Sequence, residues 1–284
     1  MTFSIVAGGA DGVSFGIAVA SKFLAVGAAV PAAAAGYGAL ATQSYANLAY
    51  RPDGLALLRS GARAEHTVAT LTAADSQREQ RQLGVVDRSG GSASYTGKAC
   101  HPWAGGRRGP GYAIQGNILT GEEVVAAMED AWLATSTAEP LARRLLAALD
   151  AGDQAGGDRR GRQSAALLVV APGGGYGGGD DVVADLRVDD HPAPVAELAR
   201  LADLHDLYFG RAAEADMLDL GPDLGEEMAE LLATVGYRPT DSSRAAVVTA
   251  LQDWAGVENL EERTTAVDRV DPLVLGVLRE RAGH

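Results

Sequence analysis

The order of predicted elements is the sequence feature that most constrains the fold. Apolar and β-branched runs predict strands, and apolar residues at helical spacing predict helices. The order is strands, two helices, strands, two helices and strands, followed by a helix at 192–206. A doubly wound parallel sheet needs regular βαβ alternation, which this order lacks. We therefore predict an α/β (α+β) fold, a four-layer αββα sandwich of two antiparallel sheets.

The predicted strands are 2–8, 13–21, 25–31, 36–43, 82–87, 92–96, 112–117, 164–171 and 182–188. Glycine-rich residues 105–111 are predicted to be a loop. After residues 207–209 the composition changes, and short helices are predicted around Leu231 and Trp254. We expect two domains, at 1–212 and 216–284, of which the second is a small all-α domain.

Charge and composition exclude several classes of protein. The net charge of −13 argues against nucleic acid or an anionic membrane as a partner. With 47% hydrophobic and 21% charged residues, the chain has enough apolar surface to bury a core. The single cysteine, Cys100, builds no disulfide framework, and no apolar run is long enough for a membrane helix. The N-terminus does not resemble a signal peptide, so we expect a cytoplasmic protein.

Two motifs that suggest a cofactor or a metal have simpler interpretations. Glycines at 173, 175 and 178 match a dinucleotide fingerprint, but a predicted strand follows them where the fingerprint needs a helix. Asp189-Asp190-His191 suggests a metal, but adjacent residues on a strand point to opposite sides. We predict no cofactor and no metal.

Thr2 is the sharpest candidate for chemistry. Removal of the initiator Met would leave a threonine that carries both a hydroxyl and a free α-amine. The amine has a reference pKa of about 7.7–8.0, which suits a general base at neutral pH. An N-terminal threonine that uses its own amine as base is a known nucleophile. Position alone is weak evidence, because many chains have Thr at position 2.

The predicted hairpin strengthens this candidate. If Asp11-Gly12 form the centre of the turn, Thr2 lies opposite Ser21, and Lys22 follows. Of the 24 basic residues only Lys22 and Lys98 are lysines. An ammonium next to Thr2 would lower the pKa of its amine and favour the neutral form. The alternative is an exposed lysine at a strand end.

Polar residues at other strand ends are candidates for the rest of a site. Asn117, or a backbone N–H near it, would hold an oxyanion, or alternatively Asn117 caps a loop. Gln43, Gln115 and Ser21 are candidates for substrate binding, although amides here also satisfy loop backbone. Arg162 would bind a substrate carboxylate, or alternatively forms a structural ion pair.

Several stretches carry a family resemblance. The pattern TFSIVAGG…VSFGIAVASKFLAVGAAVP…GYGALATQS resembles the N-terminal nucleophile (Ntn) hydrolases, which include proteasome-type threonine peptidases. With RQLGVVD, YTGKAC, YAIQGNIL, GGDRRGRQSAALLVV and DLRVDDHPAPVAEL it more closely resembles domain-of-unknown-function family 1028, which implies an Ntn-hydrolase-like fold over most of 1–210. The segment GYRPT…ALQDWAGVENLEER…VDPLVLGVLRE resembles a peptidoglycan-binding-like module.

These observations lead to one hypothesis and two alternatives. The hypothesis is an Ntn-type amide hydrolase that cleaves a small molecule or peptide, with Thr2 as nucleophile, Lys22 tuning its amine and Asn117 holding the oxyanion. Homo-oligomers are expected, since Ntn sandwiches often stack. The first alternative is a non-catalytic ligand-binding or assembly protein of the same fold. The second is a cell-wall or glycan-associated protein that binds through its C-terminal module.

Overall fold

Two antiparallel sheets lie at the centre of residues 1–202 in the computed structural model, which describes residues 2–210 and 212–283. Their strands are β1 (Thr2–Gly8), β2 (Phe15–Ser21), β3 (Pro31–Ala34), β4 (Gly38–Gln43), β5 (Gln82–Asp87), β6 (Ser92–Thr96), β7 (Gly105–Gly109), β8 (Tyr112–Asn117), β9 (Ser164–Val170) and β10 (Val182–Val188). The larger sheet has the order β10-β9-β2-β1-β8-β7, and the smaller one β3-β4-β5-β6. Neighbouring strands pair antiparallel throughout.

Helices flank the two sheets. They are α1 (Val26–Ala29), α2 (Tyr50–Arg59), α3 (Ala64–Ala73), α4 (Glu123–Ala134), α5 (Leu141–Gln154) and α6 (Pro194–Phe209). Phe3 of β1 shares a core with Leu145 of α5, and Leu83 of β5 shares another with Leu71 of α3. A third core, which includes Val6, lies between the sheets. The predicted αββα sandwich of two antiparallel sheets is confirmed.

The alternation of side chains along β1 determines where its polar residues point. Phe3 and Ile5 face the helices, whereas Val6 faces the other sheet. Ser4 and Thr2 share the face of Val6 and therefore lie between the sheets. β1 therefore runs through the layer between the sheets, with the apolar Val6 toward one end and Thr2 at the other.

The register of the first hairpin agrees with the prediction. Phe3 lies opposite Ala20, and continuing this register brings Thr2 beside Ser21. The loop has six residues, 9–14, where a two-residue turn is predicted. Because the longer loop is centred on the same point in the chain, the pairing of the two strands is unchanged.

Two predicted elements are wrong. Residues 105–111, predicted as a loop, contain β7, which pairs with β8 and forms one edge of the larger sheet. Its exposed and half-buried glycines and arginines lack the apolar alternation that marks a strand. Residues 25–31, predicted as a strand, contain the short helix α1, and β3 begins only at Pro31. Ala25, which precedes α1, lies in the left-handed region at φ 53°.

Residues 203–284 form a second compact unit, and its boundary lies within α6, upstream of the expected 212 and 216. Its other helices are α7 (Pro222–Thr234), α8 (Arg244–Val257) and α9 (Pro272–Ala282), which pack around Trp254 and Leu231. A short ladder of β11 (Leu218–Asp219) and β12 (Arg269–Val270) is also present, so this unit is not purely helical.

A buried ion pair organises the second unit. Arg263 Nη1 donates to Asp271 Oδ2 at 2.5 Å, and the two side chains are 4% and 1% exposed. The Arg263 guanidinium also donates to the carbonyls of Asp206 and Leu207 near the end of α6. Asp271 accepts from the backbone N–H of Leu273 at 2.9 Å and so caps α9. The pair therefore joins the last turns of α6 to the start of α9.

Candidate active site

One end of the layer between the sheets is polar. The side chains that meet there are buried and come from β1, β2, β4, β5 and β8: Thr2, Ser4, Ser21, Gln43, Gln82, Gln115 and Asn117. Buried polar groups need hydrogen-bond partners, and these side chains largely provide them for one another. The strands thus place four amides and two further hydroxyls around Thr2, the first residue of β1.

Thr2 is held from both sheets. Its Oγ1 lies 3.1 Å from Ser21 Oγ on the neighbouring strand. Its carbonyl oxygen accepts from Gln43 Nε2 at 3.2 Å and from Asn117 Nδ2 at 3.5 Å. These bonds fix the backbone of residue 2 and leave its hydroxyl beside a second hydroxyl.

Gln82 connects the two amides that hold Thr2. Its Oε1 accepts from Gln43 Nε2 at 2.7 Å and from Asn117 Nδ2 at 2.9 Å. Its own Nε2 donates to the carbonyl of Gly116 at 2.7 Å and to that of Gly105 at 3.1 Å. Gln82 is fully buried, so one side chain orients both amides and links the two sheets.

Replacing Gln82 by Leu is expected to lower the free energy of unfolding by about 2–3 kcal/mol, because several buried polar groups lose their partner at once. Urea unfolding measures this difference. Gln154→Leu is the matched control on the exposed surface, where we expect a change within about 0.5 kcal/mol. Equal stabilities of the two variants would contradict the role given to Gln82.

Ser4 and Gln115 form the deeper part of the network. Ser4 Oγ donates to Gln43 Oε1 at 2.7 Å and accepts from Gln115 Nε2 at 2.7 Å. Gln115 Oε1 is buried and has no hydrogen-bond partner among the described residues. A Cβ at Gly84 would lie 2.0 Å from that oxygen, so the glycine makes room for the Gln115 side chain.

Thr2 opens onto a cavity of about 630 Å³, a size typical of small-molecule sites. The apolar part of the wall comes mainly from Phe23, Val26, Ala29, Val30 and Leu48. The polar part consists of Thr2, Gln43, Ser44, Tyr45, His101, Asn117 and Arg160. Tyr45 Oη and His101 Nε2 lie 3.1 Å apart and form a polar rim.

Three residues that line the cavity have left-handed backbone. They are Ser44 at φ 60°, Tyr45 at φ 51° and Ile118 at φ 51°. This conformation is rare for residues other than glycine, and rarest for a β-branched residue such as Ile118. Each costs of order 1–3 kcal/mol, and such strain clusters at functional sites. These turns follow directly on Gln43 and Asn117, the residues that hold Thr2.

The cavity wall at 44–48 is anchored from behind by Asp75. Its Oδ2 accepts from Arg81 Nε at 2.9 Å, from Tyr50 Oη at 3.0 Å and from Asn47 Nδ2 at 3.2 Å. Arg81 also donates to the carbonyl of Tyr45. The side chains of Asp75 and Arg81 are only 8% and 11% exposed, so the pair is protected from solvent.

The wall is expected to be sensitive to acid. The hydrogen bond from Arg81 holds the pKa of the Asp75 carboxyl well below its usual range. A carboxyl with a lowered pKa stabilises the fold above its unfolded pKa of about 3.9, and this contribution is lost as the pH falls below that value. Asp75→Asn should therefore lower the free energy of unfolding by about 2 kcal/mol at neutral pH. The difference should shrink as the pH falls below about 4.

Urea unfolding over a pH series measures this prediction. Exposed Asp130→Asn is the matched control, for which we expect a change within about 0.5 kcal/mol at every pH. A difference between the wild type and Asp75→Asn that stays constant down to low pH would contradict the assignment.

A buried carboxylate positions the loop after β2. Asp158 Oδ2 accepts from the backbone N–H of Lys22 at 2.7 Å, and its Oδ1 accepts from that of Arg160 at 2.8 Å. The Arg160 guanidinium donates through Nη2 to the carbonyl of Lys22 at 2.9 Å and lies 3.4 Å from Asp158 Oδ2. Asp158 thereby sets Arg160 at the edge of the cavity.

The structure brings five of the predicted site residues together. Thr2, Gln43 and Asn117 line the cavity, Ser21 contacts the Thr2 hydroxyl, and Gln115 lies in the network beneath. Asn117 Nδ2 directs its two hydrogens to Thr2 O and Gln82 Oε1, so holding an oxyanion would require one of these bonds to exchange.

Lys22 and Arg162 are placed differently. Lys22 is exposed, and its ammonium donates to the carbonyl of Arg162 at 3.2 Å, in keeping with the alternative of a strand-end lysine. Arg162 Nε lies 2.8 and 2.9 Å from the two oxygens of Asp153, which is the predicted alternative of an ion pair. The guanidinium that lines the cavity belongs to Arg160.

Sequence reasoning missed Gln82, Asp158 and Arg160. A signal for Gln82 was available, because antiparallel pairing of two predicted strands places it opposite Gln43. Asp158 and Arg160 lie in a loop, where no periodic pattern indicates which side chain is buried. Among the described residues, no group of three or more His, Cys, Asp or Glu side chains is placed to hold a metal, and no helix is long and apolar enough to cross a membrane.

Comparison with known proteins supports the division of the chain. Residues 2–198 match the model of the family of unknown function DUF1028. Residues 208–278 match the model described as "Putative peptidoglycan binding domain". No curated protein sequence matches the chain.

Two solved structures are similar to different degrees. The DUF1028 protein SPO2555 from Silicibacter pomeroyi is 31% identical, with a TM-score of 0.66 over 74% of this chain and 91% of that one. Anbu (ancestral beta-subunit) from Yersinia bercovieri is 12% identical, with a TM-score of 0.33 over 71% of this chain and 93% of that one. The family match, which spans more than half of the residues, shows that the chain belongs to the DUF1028 family.

Proposed function

We propose that this protein is an N-terminal-nucleophile amide hydrolase in which Thr2 attacks the substrate. One observation carries the proposal. Thr2 begins β1, its carbonyl is held by Gln43 and Asn117, and its hydroxyl lies beside Ser21 at the edge of a cavity of about 630 Å³. A buried network devoted to holding the first residue of a strand is what a terminal nucleophile needs.

The reaction would begin once Met1, which lies outside the described residues, has been removed. The free α-amine of Thr2 takes the proton of Oγ1 while Oγ1 forms a bond to the amide carbonyl carbon. The carbon–nitrogen bond then breaks, and the α-ammonium returns its proton to the leaving amine. Water, activated by the same amine, hydrolyses the resulting ester and releases a carboxylic acid.

The neighbours of Thr2 have separate roles in this scheme. Gln43 and Asn117 fix the main chain of residue 2, so that the hydroxyl and the amine keep one geometry during both steps. Ser21 shares a hydrogen bond with the nucleophile and can relay its proton. Lys22 has no part in this scheme, because its exposed ammonium donates to the carbonyl of Arg162 and does not line the cavity.

The shape of the cavity favours a small substrate. Its volume is within the range of about 300–1,000 Å³ typical of small-molecule sites, and its walls come from several loops. We therefore propose an amide in a small molecule or short peptide as the substrate. The expected self-association of the chain remains a prediction, as does glycan binding by the second unit, which the match at residues 208–278 favours.

The mass of the intact native protein tests the first requirement of this proposal. We expect a mass lower by one methionine residue, because small residues at the second position permit Met removal. N-terminal sequencing should then begin at Thr2. Retention of Met1 would leave the α-amine on the wrong residue and would contradict the proposed mechanism.

A further inference from the structure

The charge of the cavity wall differs from that of the whole molecule. The chain has a net charge of −13. Among the described residues that line the cavity, however, none has a carboxylate side chain. Arg160 is the one lining residue whose side chain is positively charged throughout the physiological pH range. The lining of this cavity in an acidic protein thus holds a guanidinium and no carboxylate, although Asp158 lies 3.4 Å from Arg160 Nη2 outside the lining.

The hydrogen bonds of Arg160 leave much of its guanidinium available. Its Nη2 is engaged by Lys22 O at 2.9 Å and lies 3.4 Å from Asp158 Oδ2. Among the described residues, its Nε and Nη1 have no hydrogen-bond acceptor, and the side chain is 45% exposed. One nitrogen therefore fixes the group, and the others remain for a ligand.

Asp158 makes one contact with this guanidinium, at 3.4 Å from Nη2. Its two oxygens already accept backbone N–H groups of Lys22 and Arg160 at 2.7 and 2.8 Å. The contrast with Arg162 is informative, because its Nε lies 2.8 and 2.9 Å from the two oxygens of Asp153. Two arginines in one loop thus differ: Arg162 bonds both oxygens of Asp153 through Nε, whereas Arg160 contacts Asp158 through Nη2 alone and at a longer distance.

The rest of the cavity determines what accompanies an anionic group. Phe23, Val26 and Leu48 supply apolar surface, and Phe23 and Leu48 are 53% and 55% exposed. The open Nε–H and Nη1–H groups of Arg160 point to different sides of the guanidinium, and each can donate a charge-assisted hydrogen bond to a carboxylate, whose negative charge a neutral amide lacks. The wall therefore suits a ligand that has one apolar group and one carboxylate.

We infer that the substrate of the Thr2 site is a small amide that carries a carboxylate, which Arg160 binds, and an apolar group, which packs against Phe23, Val26 and Leu48. This inference rests on the proposed function in taking the ligand to be a substrate. The recognition step itself is binding, so it can be measured without turnover.

Binding of two matched ligands tests the inference. N-acetyl-leucine and N-acetyl-leucinamide share the apolar group and differ in the carboxylate. Calorimetric titration into the full chain carrying Thr2→Ala removes any interference from hydrolysis. We expect the carboxylate to bind about tenfold or more tightly than the amide, in line with the strength of a charged hydrogen bond.

Variants of the two arginines locate the effect. Arg160→Met should abolish the preference for the carboxylate, Arg160→Lys should restore part of it, and Arg162→Met should retain it. Thermal unfolding of each variant shows whether the loop remains folded, since Arg160 also holds the carbonyl of Lys22. Partial rescue by Lys in a folded protein separates ligand binding from a structural role.

Three outcomes would overturn the inference: equal affinity for the two ligands, an equal loss in Arg162→Met, or no binding of either ligand at millimolar concentration. If the wild type binds carboxylate ligands through Arg160 but hydrolyses none of them, the proposed hydrolysis fails while the assignment of Arg160 as the carboxylate-binding residue stands. The two failures are therefore distinguishable.

Discussion

Replacing Thr2 by Ala is expected to reduce amide hydrolysis by about three orders of magnitude or more, because the variant lacks the atom that forms the covalent intermediate. The loss should appear in kcat, since the cavity wall that binds the substrate is unchanged. Thr2→Ser keeps a hydroxyl on the same carbon and should retain measurable turnover. The assay follows release of the amine from a panel of small N-acyl amino acids.

The fold should survive this change. Thr2→Ala removes the 3.1 Å contact with Ser21 but keeps the carbonyl that Gln43 and Asn117 hold. We expect a loss of about 1 kcal/mol in the free energy of unfolding. If Thr2→Ala turned over substrate as fast as the wild type while remaining folded, Thr2 would not be the nucleophile.

Arg263→Met is expected to destabilise the second unit by about 3–5 kcal/mol, because it leaves the Asp271 carboxylate buried without its partner. The same change removes the donors to the carbonyls of Asp206 and Leu207. Hydrogen exchange read by mass spectrometry measures the effect separately for each unit. Peptides from α7, α8 and α9 should lose protection together, since they share one core.

Arg281→Met is the matched control for this prediction. Arg281 pairs with Glu258 at 3.0 Å, but its side chain is 61% exposed, so we expect a change within about 0.5 kcal/mol. If both variants left the exchange of the second unit unchanged, the Arg263–Asp271 pair would not organise it.

Local pattern was enough to predict the sandwich and its first hairpin. The β-branched run of β1 and the centre of the following turn determine the register, so Thr2 and Ser21 meet as expected. The prediction tolerated an error in loop length because register depends on the centre of the loop rather than on its length. Gln43 and Asn117 are candidates because they end predicted strands, and both line the cavity.

The loop residues show where sequence reasoning fails. Arg160 and Arg162 lie two positions apart in one loop, and no periodicity indicates which of them an acid neutralises. The answer depends on Asp153, which pairs with Arg162, and on Asp158, which also accepts from the backbone of Lys22, 136 positions away in the sequence. The left-handed backbone at Ile118 was equally hidden, since nothing in a β-branched residue predicts that conformation.

Covalent labelling with a β-lactone tests the central claim most directly, because its strained carbonyl acylates an activated hydroxyl and stays attached. Peptide mass spectrometry locates the adduct. We predict one adduct per chain, on an N-terminal peptide that begins with Thr2, and none in Thr2→Ala. An adduct at another residue, or equal labelling of Thr2→Ala, would contradict the assignment of Thr2 as the nucleophile.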